Sequence, residues 1–336
     1  MKQAIIMAFL SAGALVAASG GYHVIKEIKI GGEGGWDYAT MDSSARRLYV
    51  SHATHVVVVD VDAGKVVGDI PDTQGVHGIA IAPKLNRGFV SDGRANMVTV
   101  FDLKTLKTLG TVKTGTNPDA ILYDSASDRV FTFNGRSSDS TVINAKTNAV
   151  EGTIPLGGKP EFSAADGKGK AYVNIEDTSE IVELDTKAMT ATKRYSLKPC
   201  DEPSGLAMDV KNRRLFSVCG NKMMAISDPD AGKVLATPAI GQGPDAAAFD
   251  PGTGLAFSSN GRDGTLTVIQ EKNGKYEVVE TATTQRGART MALDTKTHDI
   301  FLPTADFGPA PAPTPNNARP RPSMVPDSFR IIVVGR

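Results

Sequence analysis

Residues 118–136 read PDAILYDSASDRVFTFNGR, and this phrase recurs along the chain. Close copies begin at Pro160, Pro203 and Pro244, and looser copies begin at Trp36, Val76 and Ala288. The starts are about 40 to 44 residues apart, which is the length of a propeller blade built from four strands. The repetition predicts seven equivalent units within one closed domain.

Each repeat contains short apolar or β-branched runs that are separated by polar turns. In the third repeat the expected strands are residues 120–123, 130–133, 141–144 and 149–154, with Gly, Asn, Asp and Pro at the turns. No segment after residue 20 has a helical period. The predicted fold class is therefore all-β, a seven-bladed β-propeller of four-stranded blades.

The two ends of the chain complete one blade. Residues 23–36 match a fourth strand and the lead into a repeat, whereas the last repeat offers only three strands, at 290–293, 299–302 and 329–334. We therefore expect the N-terminal strand to supply the outer strand of the last blade. This pairing closes the ring and removes an open sheet edge.

Residues 1–20 have the composition of a signal peptide. Lys2 precedes an apolar run from Ala4 to Ala18, and small residues follow this run. Because the run is too short to cross a bilayer as a helix, we expect cleavage and export to the periplasm or the outside. The alternative is an uncleaved anchor. If residues 1–20 are cleaved as expected, residues 21–336 form a single propeller domain with no integral membrane segment.

Charge and cysteine content narrow the expected partners. Lys+Arg and Asp+Glu number 37 each, so the chain lacks the basic excess of a nucleic-acid-binding protein. We therefore expect no nucleic-acid partner. We also expect the protein to be a monomer. The two cysteines, Cys200 and Cys219, fall in the fifth repeat, and in an exported protein such a pair is expected to form a disulfide. Two separate buried thiols are the alternative.

Aspartates that recur at the same turns are interpreted as scaffold. One set opens the turn after the first strand of a repeat: Asp42, Asp124, Asp166, Asp209, Asp250 and Asp294. A short carboxylate at a turn accepts backbone N–H bonds. We therefore predict structural roles for these aspartates and nominate none as catalytic.

The repeat resembles a known family. The stretch PDAILYDSASDRVFTFNGRSSDSTVINAKTNAVEGTIPLGG (residues 118–158), together with HVVVVDVDAGKVVGDI (residues 55–70), is similar to the YVTN or YncE-like seven-bladed propellers. The similarity covers nearly the whole mature chain, and blade 4 and the last blade depart from it most. It implies the fold and an exported binding protein. Related propellers include lactonase-like and redox-associated proteins.

Candidate site residues are those that interrupt the repeat on one face. The first residue of each innermost strand gives a column of seven: Asp37, His77, Asp119, Glu161, Ser204, Asp245 and Arg289. Loops at this face commonly form ligand sites around the channel mouth. Of these residues we single out Asp37, His77, Glu161 and Arg289 for ligand binding, and His77 and Glu161 as candidates for a general base.

Histidines, arginines and the single tryptophan supply further candidates. His52, His55 and His77, with Asp37, are candidate ligands of a divalent metal such as zinc or copper. Arg94, Arg136 and Arg262 recur as D-G-R or N-G-R, and a guanidinium suits carboxylate or phosphate. Their alternative role is a ring of salt bridges with the aspartates. Trp36 either stacks on a ligand or fills the gap between blades.

The proline-rich insertion in the last blade is the longest departure from the repeat. It occupies residues 303–327, and its proline density favours extended geometry without sheet or helix. We interpret it as a strap over the channel mouth, with Phe307, Arg319 and Arg321 able to reach inward. A disordered loop is the alternative.

The predicted function is a binding or scaffold protein without catalysis of its own. The expected partner is a small anionic ligand or a protein, bound at the channel mouth, with no cofactor apart from a rim metal. The alternatives are a lactonase-like hydrolase and an accessory protein of a redox enzyme.

Overall fold

Seven antiparallel sheets of four strands form a ring of blades. The computed structural model describes residues 20–312 and 322–336. The first fourteen strands are β1 (His23–Lys29), β2 (Ala39–Asp42), β3 (Arg47–His52), β4 (His55–Asp60), β5 (Lys65–Ile70), β6 (Val76–Ala82), β7 (Arg87–Asp92), β8 (Met97–Asp102), β9 (Thr108–Lys113), β10 (Pro118–Asp124), β11 (Arg129–Asn134), β12 (Asp139–Asn144), β13 (Val150–Pro155) and β14 (Pro160–Ala165). The others are β15 (Lys170–Ile175), β16 (Glu180–Asp185), β17 (Thr190–Ser196), β18 (Pro203–Asp209), β19 (Arg214–Cys219), β20 (Met223–Asp228), β21 (Lys233–Ala236), β22 (Pro244–Asp250), β23 (Leu255–Asn260), β24 (Thr265–Lys272), β25 (Lys275–Thr283), β26 (Ala292–Leu293), β27 (Ile300–Thr304) and β28 (Arg330–Gly335). Two single-turn 3₁₀ helices lie at Pro83–Leu85 and Gly93–Ala95.

Blades follow one another along the chain in groups of four strands. Blade 1 is β2–β5, blade 2 is β6–β9, and the pattern continues to blade 6, β22–β25. Innermost strands of neighbouring blades contact each other around the ring, and β26 of blade 7 contacts both β22 and β2. The predicted all-β, seven-bladed architecture is confirmed. No helix among the described residues is long and apolar enough to cross a membrane.

Strand β1 completes blade 7. That sheet has the order β1-β28-β27-β26, and β1 pairs antiparallel with β28 from His23 with Gly335 to Lys29 with Arg330. The predicted ring closure by the N-terminal strand agrees with this pairing.

Apolar packing occurs between blades rather than within them. Each of the seven buried clusters combines side chains from two neighbouring blades; Tyr49 of blade 1, for example, packs with Phe101 of blade 2 at 5.8 Å between ring centroids. The middle strands are therefore buried on both faces. This explains why β4 reads HVVVVD without polar alternation.

The recurring turn aspartates accept backbone N–H bonds. Asp42 accepts from Ser44 and Ala45, and Asp209 accepts from Lys211 and Asn212 in the same way. One of them also links two blades: Asp294 of blade 7 pairs with Arg46 of blade 1. These contacts are structural, as the repetition of the aspartates indicated.

The insertion in blade 7 begins and ends two residues later than the sequence suggested, at 305–329 instead of 303–327. Pro303 lies inside β27 and pairs with Ile331, so the expectation that residue 303 starts a strand-free segment was wrong. Pro303 is tolerated there because β26 pairs only with Ile300 and Phe301, so no ladder on that side requires its N–H. We call residues 305–329 the strap. Its central residues 313–321, with Arg319 and Arg321, lie outside the described residues.

Cys200 and Cys219 are bonded to each other. Their Cα atoms are 5.5 Å apart, and both residues are buried. The bond ties the loop before β18 to the end of β19, on the face that carries the strap.

We predict that this disulfide makes the native state more stable. Cross-linking a loop of about 20 residues restricts the unfolded chain and is worth about 3 kcal/mol. Reduction, or the Cys200→Ser/Cys219→Ser variant, is expected to lower the urea midpoint. Thiol titration of the unfolded, unreduced protein should find no free thiol, and two free thiols would contradict the assignment.

A buried carboxyl in blade 2 gives a pH-dependent prediction. Asp92 is 1% exposed; it accepts a bond from Thr99 at 2.6 Å, but its Oδ1 has no partner in the described part of the chain. Burial raises the pKa of Asp92 to about 7. The folded state thus binds this proton more tightly than the unfolded state does. Protonated Asp92 therefore contributes to the free energy of unfolding; the contribution is complete below about pH 4 and is lost as the pH rises to about 7. Blades 3 and 6 have Asn134 and Asn260 at the same position.

Asp92→Asn should therefore stabilise the protein at pH 8 by about 2 to 4 kcal/mol and have little effect at pH 4. Urea unfolding at several pH values measures this difference. The reverse change, Asn134→Asp, should destabilise, because the amide of Asn134 donates to Asp139 at 2.6 Å. A benefit of Asp92→Asn that is equal at pH 4 and pH 8 would contradict the burial argument.

Candidate functional site

Charged side chains alternate around part of the channel mouth. Arg289 of blade 7 pairs with Asp245 of blade 6 and lies 3.2 Å from Asp37 Oδ1 of blade 1. The other oxygen of Asp37 is 2.7 Å from His77 Nδ1 of blade 2. Asp119 Oδ1 of blade 3 lies 3.7 Å from the same nitrogen of His77. Five of the seven column residues therefore form one continuous chain of opposite charges.

The acidic part of this chain shifts the protonation of its members. Burial opposes the charged form of His77, but its hydrogen bond to Asp37 and the charges of Asp119 and Glu161 outweigh burial, so the pKa of His77 is raised. Burial also raises the pKa of Asp119 and Glu161, and the charge of Asp119 adds to the rise at Glu161. The carboxyl groups of Asp119 and Glu161 thus hold a proton more tightly than exposed carboxyl groups do.

Glu161 is held by an ion pair rather than poised as a base. Its carboxylate lies 2.7 Å from Lys159 Nζ, and Lys159 also pairs with Glu176. His77 uses Nδ1 for Asp37, and a methyl group on Gly93 would lie 2.6 Å from Nε2. Both candidate bases are therefore engaged by neighbouring charged groups: His77 by Asp37, and Glu161 by Lys159.

Buried side chains of neighbouring blades fix the backbone of the column residues. Ser91 donates to the carbonyl of Asp119, and Ser259 does the same for Arg289. Thr290 donates to the carbonyl of Asp37, and Asn174 donates to that of Ser204. The sequence reasoning missed this set, although several of its members directly precede the last residue of a second strand.

Two aromatic rings meet across the channel. Tyr38 of blade 1 stacks on Phe162 of blade 4, with 4.2 Å between centroids and 27° between planes. Each ring follows a column residue by one position, so the contact lies next to Asp37 and Glu161 in the innermost part of blades 1 and 4. Nothing in the repeat pattern predicts this contact, because the two blades are far apart in sequence.

The three histidines expected to share a metal are divided between two places. His52 stacks on Phe329 at 4.4 Å and 15°, and its Nδ1 is 3.3 Å from His55 Nε2. Burial and the neighbouring His55 lower the pKa of His52 to about 4. His77 instead faces Asp37 and Asp119. Among the described residues the only group of three His, Cys, Asp or Glu side chains close enough to share an ion is Asp37, His77 and Asp119. The structure therefore does not bring His77 together with His52 and His55.

Trp36 belongs to the same aromatic stack as His52. Its ring stacks on Phe329 at 5.2 Å and faces Phe307 of the strap at 6.1 Å. It therefore fills a gap between blades 7 and 1 and also forms part of a cavity wall.

Arg94, Arg136 and Arg262 are exposed at the loop face. None of them makes an ion pair within residues 20–312 and 322–336, so the expected alternative of a salt-bridge ring with the aspartates is absent there. Arg94 and Arg136 lie on blades 2 and 3. Arg262 lies on blade 6, beside the cavity.

A cavity of about 1300 Å³ lies between blades 6, 7 and 1 and the strap. Its apolar walls include Trp36, Phe307, Pro309, Pro322 and Met324. Its charged walls are Arg262, Arg286 and Arg289 with Asp245 and Asp306. The sequence reasoning named Trp36, Arg262, Arg289 and Phe307 but treated the channel mouth as a single site.

The two legs of the strap are joined at the cavity. Phe307 and Met324 form an antiparallel bridge, and Gly308 N–H donates to the Ser323 carbonyl at 2.9 Å. Gly287 has φ +92°, and a Cβ there would lie 2.6 Å from the Phe307 ring. Glycine therefore allows the strap to pack directly on the loop before β26.

The fold and this loop face define the class of protein, a seven-bladed β-propeller. The structure is similar to that of hydrazine synthase from Kuenenia stuttgartiensis, with a TM-score of 0.69 and 14% identity over 81% of this chain and 94% of that chain. At this identity the similarity shows the fold alone. No protein-family profile matches the chain, and no curated protein sequence matches it.

Ser91 offers a test of how the column is anchored. Its hydroxyl donates to Asp119 O and accepts from Gly78 N–H at 2.8 Å, so Ser91→Ala leaves two buried backbone groups unpaired. We expect a loss of about 1–3 kcal/mol in urea unfolding. Ser140 is equally buried, but its hydroxyl has no partner in the described part of the chain, so Ser140→Ala should be nearly neutral. Equal losses in both variants would contradict the anchoring role.

Proposed function

We propose that this chain is an exported binding protein of the YVTN or YncE-like type. Its ligand is a small molecule with an anionic group and an apolar body, bound between the strap and blades 6, 7 and 1. The observation that carries the proposal is two guanidinium groups in a largely apolar cavity, those of Arg262 and Arg286, which have no carboxylate partner among the described residues.

The other charges of the cavity are already paired. Arg289 is bound to Asp245 and Asp37, and Asp306 is bound to Arg330 at 2.7 Å. Arg262 and Arg286 make no ion pair in the described part of the chain. Residues 1–19 and 313–321 contain no Asp or Glu, so the segments outside the description add no carboxylate side chain. Three arginines and two aspartates line the cavity, so its wall carries one net positive charge, and two of its guanidiniums have no carboxylate partner among the described residues.

Two exposed guanidiniums beside aromatic and proline side chains favour one class of ligand. A guanidinium binds carboxylate or phosphate through paired N–H donors. Trp36 and Phe307 supply apolar area on which a ring or a short aliphatic chain can pack. A free metabolite and the carboxyl terminus of a peptide share this chemistry.

The alternative of a lactonase-like hydrolase has less support. His77 and Glu161, the candidate bases, are engaged by Asp37 and Lys159 and face the blade 1–4 side of the mouth rather than the cavity wall. No observation favours the redox-accessory alternative.

N-acetylphenylalanine and its amide form a matched pair of probes, because they share the apolar body and differ in one charge. Calorimetry is expected to detect saturable binding of the acid that weakens as salt rises, and much weaker binding of the amide. Phenyl phosphate serves as the phosphate counterpart.

Arg262→Ala and Arg286→Ala should each weaken binding of the anionic probe by about tenfold to a hundredfold, since each removes a charge-assisted hydrogen bond. The matched controls are Arg94→Ala and Arg136→Ala, which remove the same residue type from the same loop position of blades 2 and 3. The proposal is refuted if the intact protein binds none of the anionic probes, or if the control variants weaken binding as much.

A further inference from the structure

Three potential metal ligands meet on the other side of the mouth from the arginine-lined cavity. Asp37, His77 and Asp119 come from blades 1, 2 and 3, and each occupies the same position at the start of an innermost strand. One ligand atom of each lies within 4.8 Å of the other two. The ring symmetry of the fold therefore directs them to one point.

The distances suit a small divalent ion. His77 Nδ1 is 2.7 Å from Asp37 Oδ2 and 3.7 Å from Asp119 Oδ1. Nitrogen and oxygen ligands lie about 2.0–2.2 Å from zinc, which places tetrahedral ligand atoms about 3.3–3.5 Å apart. The observed distances bracket this value, so small side-chain rotations bring the three atoms into place.

The backbone beneath two of the ligands is fixed. Ser91 holds the carbonyl of Asp119, and Thr290 holds that of Asp37. Binding an ion therefore requires side-chain adjustment only, and ligands that are already in place lose little entropy on coordination.

A buried tyrosine hydroxyl gives an independent indication of a ligand. Tyr38 follows Asp37 in the chain, and its hydroxyl lies beside Asp119. Its hydroxyl is enclosed, yet it makes no hydrogen bond of acceptable geometry within the described residues. Buried polar groups seldom lack a partner, so an enclosed hydroxyl without one beside three potential metal ligands favours a bound ligand at this place. A water on a bound ion would supply the missing acceptor.

We propose that Asp37, His77 and Asp119 bind one divalent transition-metal ion. One imidazole and two carboxylates suit zinc and its first-row neighbours, and three protein ligands leave a coordination position open. On binding, His77 Nδ1 releases its proton to solvent and donates its lone pair to the ion. None of the three ligands lines the arginine-lined cavity, although Asp37 also contacts Arg289 of the cavity wall, and the site does not need the anionic ligand.

Metal titration of the intact mature protein tests the site. After treatment with a chelator, Zn²⁺ is titrated by calorimetry and Co²⁺ by its visible absorption, which is intense for four-coordinate cobalt. We expect one ion per chain, and a loss of affinity of about a hundredfold or more in His77→Ala and in Asp119→Asn. Circular dichroism and the thermal midpoint show whether each variant is folded, and the isosteric Asp119→Asn decides if His77→Ala is not.

Two control variants remove other histidines of similar setting. His298 Nδ1 lies 2.8 Å from Asp250 Oδ2, and no second carboxylate pairs with it among the described residues. His55 instead contacts His52, with 3.3 Å between Nε2 of His55 and Nδ1 of His52. His298→Ala and His55→Ala should bind Zn²⁺ as tightly as the intact protein. No stoichiometric binding, binding that survives in both His77→Ala and Asp119→Asn, or binding that is lost in His55→Ala would each overturn the proposal.

Discussion

The pairing of β1 with β28 is the constraint on which the rest of the molecule depends. It joins residues about 300 positions apart and gives blade 7 its fourth strand. After β1 the chain passes through residues 34–36, which form one wall of the cavity. Blade 7 forms other walls of the cavity with Arg286, Arg289 and the strap. Opening this seam would therefore separate the two sides of the cavity as well as the ring. Closure and the candidate binding site have the same structural origin.

The channel mouth is ordered by side chains that cross between blades. Ser91, Ser259, Thr290 and Asn174 each bond a backbone carbonyl of the next blade's column residue. A buried hydroxyl in this position satisfies a carbonyl that no sheet ladder reaches. Because the carbonyls are fixed, different side chains can occupy the column without disturbing the blades. This separation explains how one ring presents aspartate, histidine, glutamate and arginine at equivalent positions.

The sequence predicted what depends on local pattern and repetition. Strand order, blade number and the equivalence of Asp37, His77 and Asp119 all follow from a period of about 40 to 44 residues. The structure does not bring the proposed histidine cluster together, because His52 stacks on Phe329 at the end of the strap and not beside His77. The Tyr38–Phe162 contact was missed for a related reason. It joins blades on opposite sides of the channel, and no periodicity specifies which side chains meet there.

The two halves of the mouth have opposite electrostatic character, and Asp37 connects them. One oxygen of Asp37 faces Arg289, beside the arginine-lined cavity, and the other faces His77, on the acidic side. A cation held by His77 and Asp119 would compete with Arg289 for the charge of Asp37 and leave that guanidinium more available to an anion. An anion held by Arg262 and Arg286 would in turn attract the neighbouring guanidinium of Arg289 away from Asp37, since coupling between two binding sites is reciprocal. The alternating charges from Asp245 to Asp119 thus provide a direct physical route by which two small ligands on one face could favour each other.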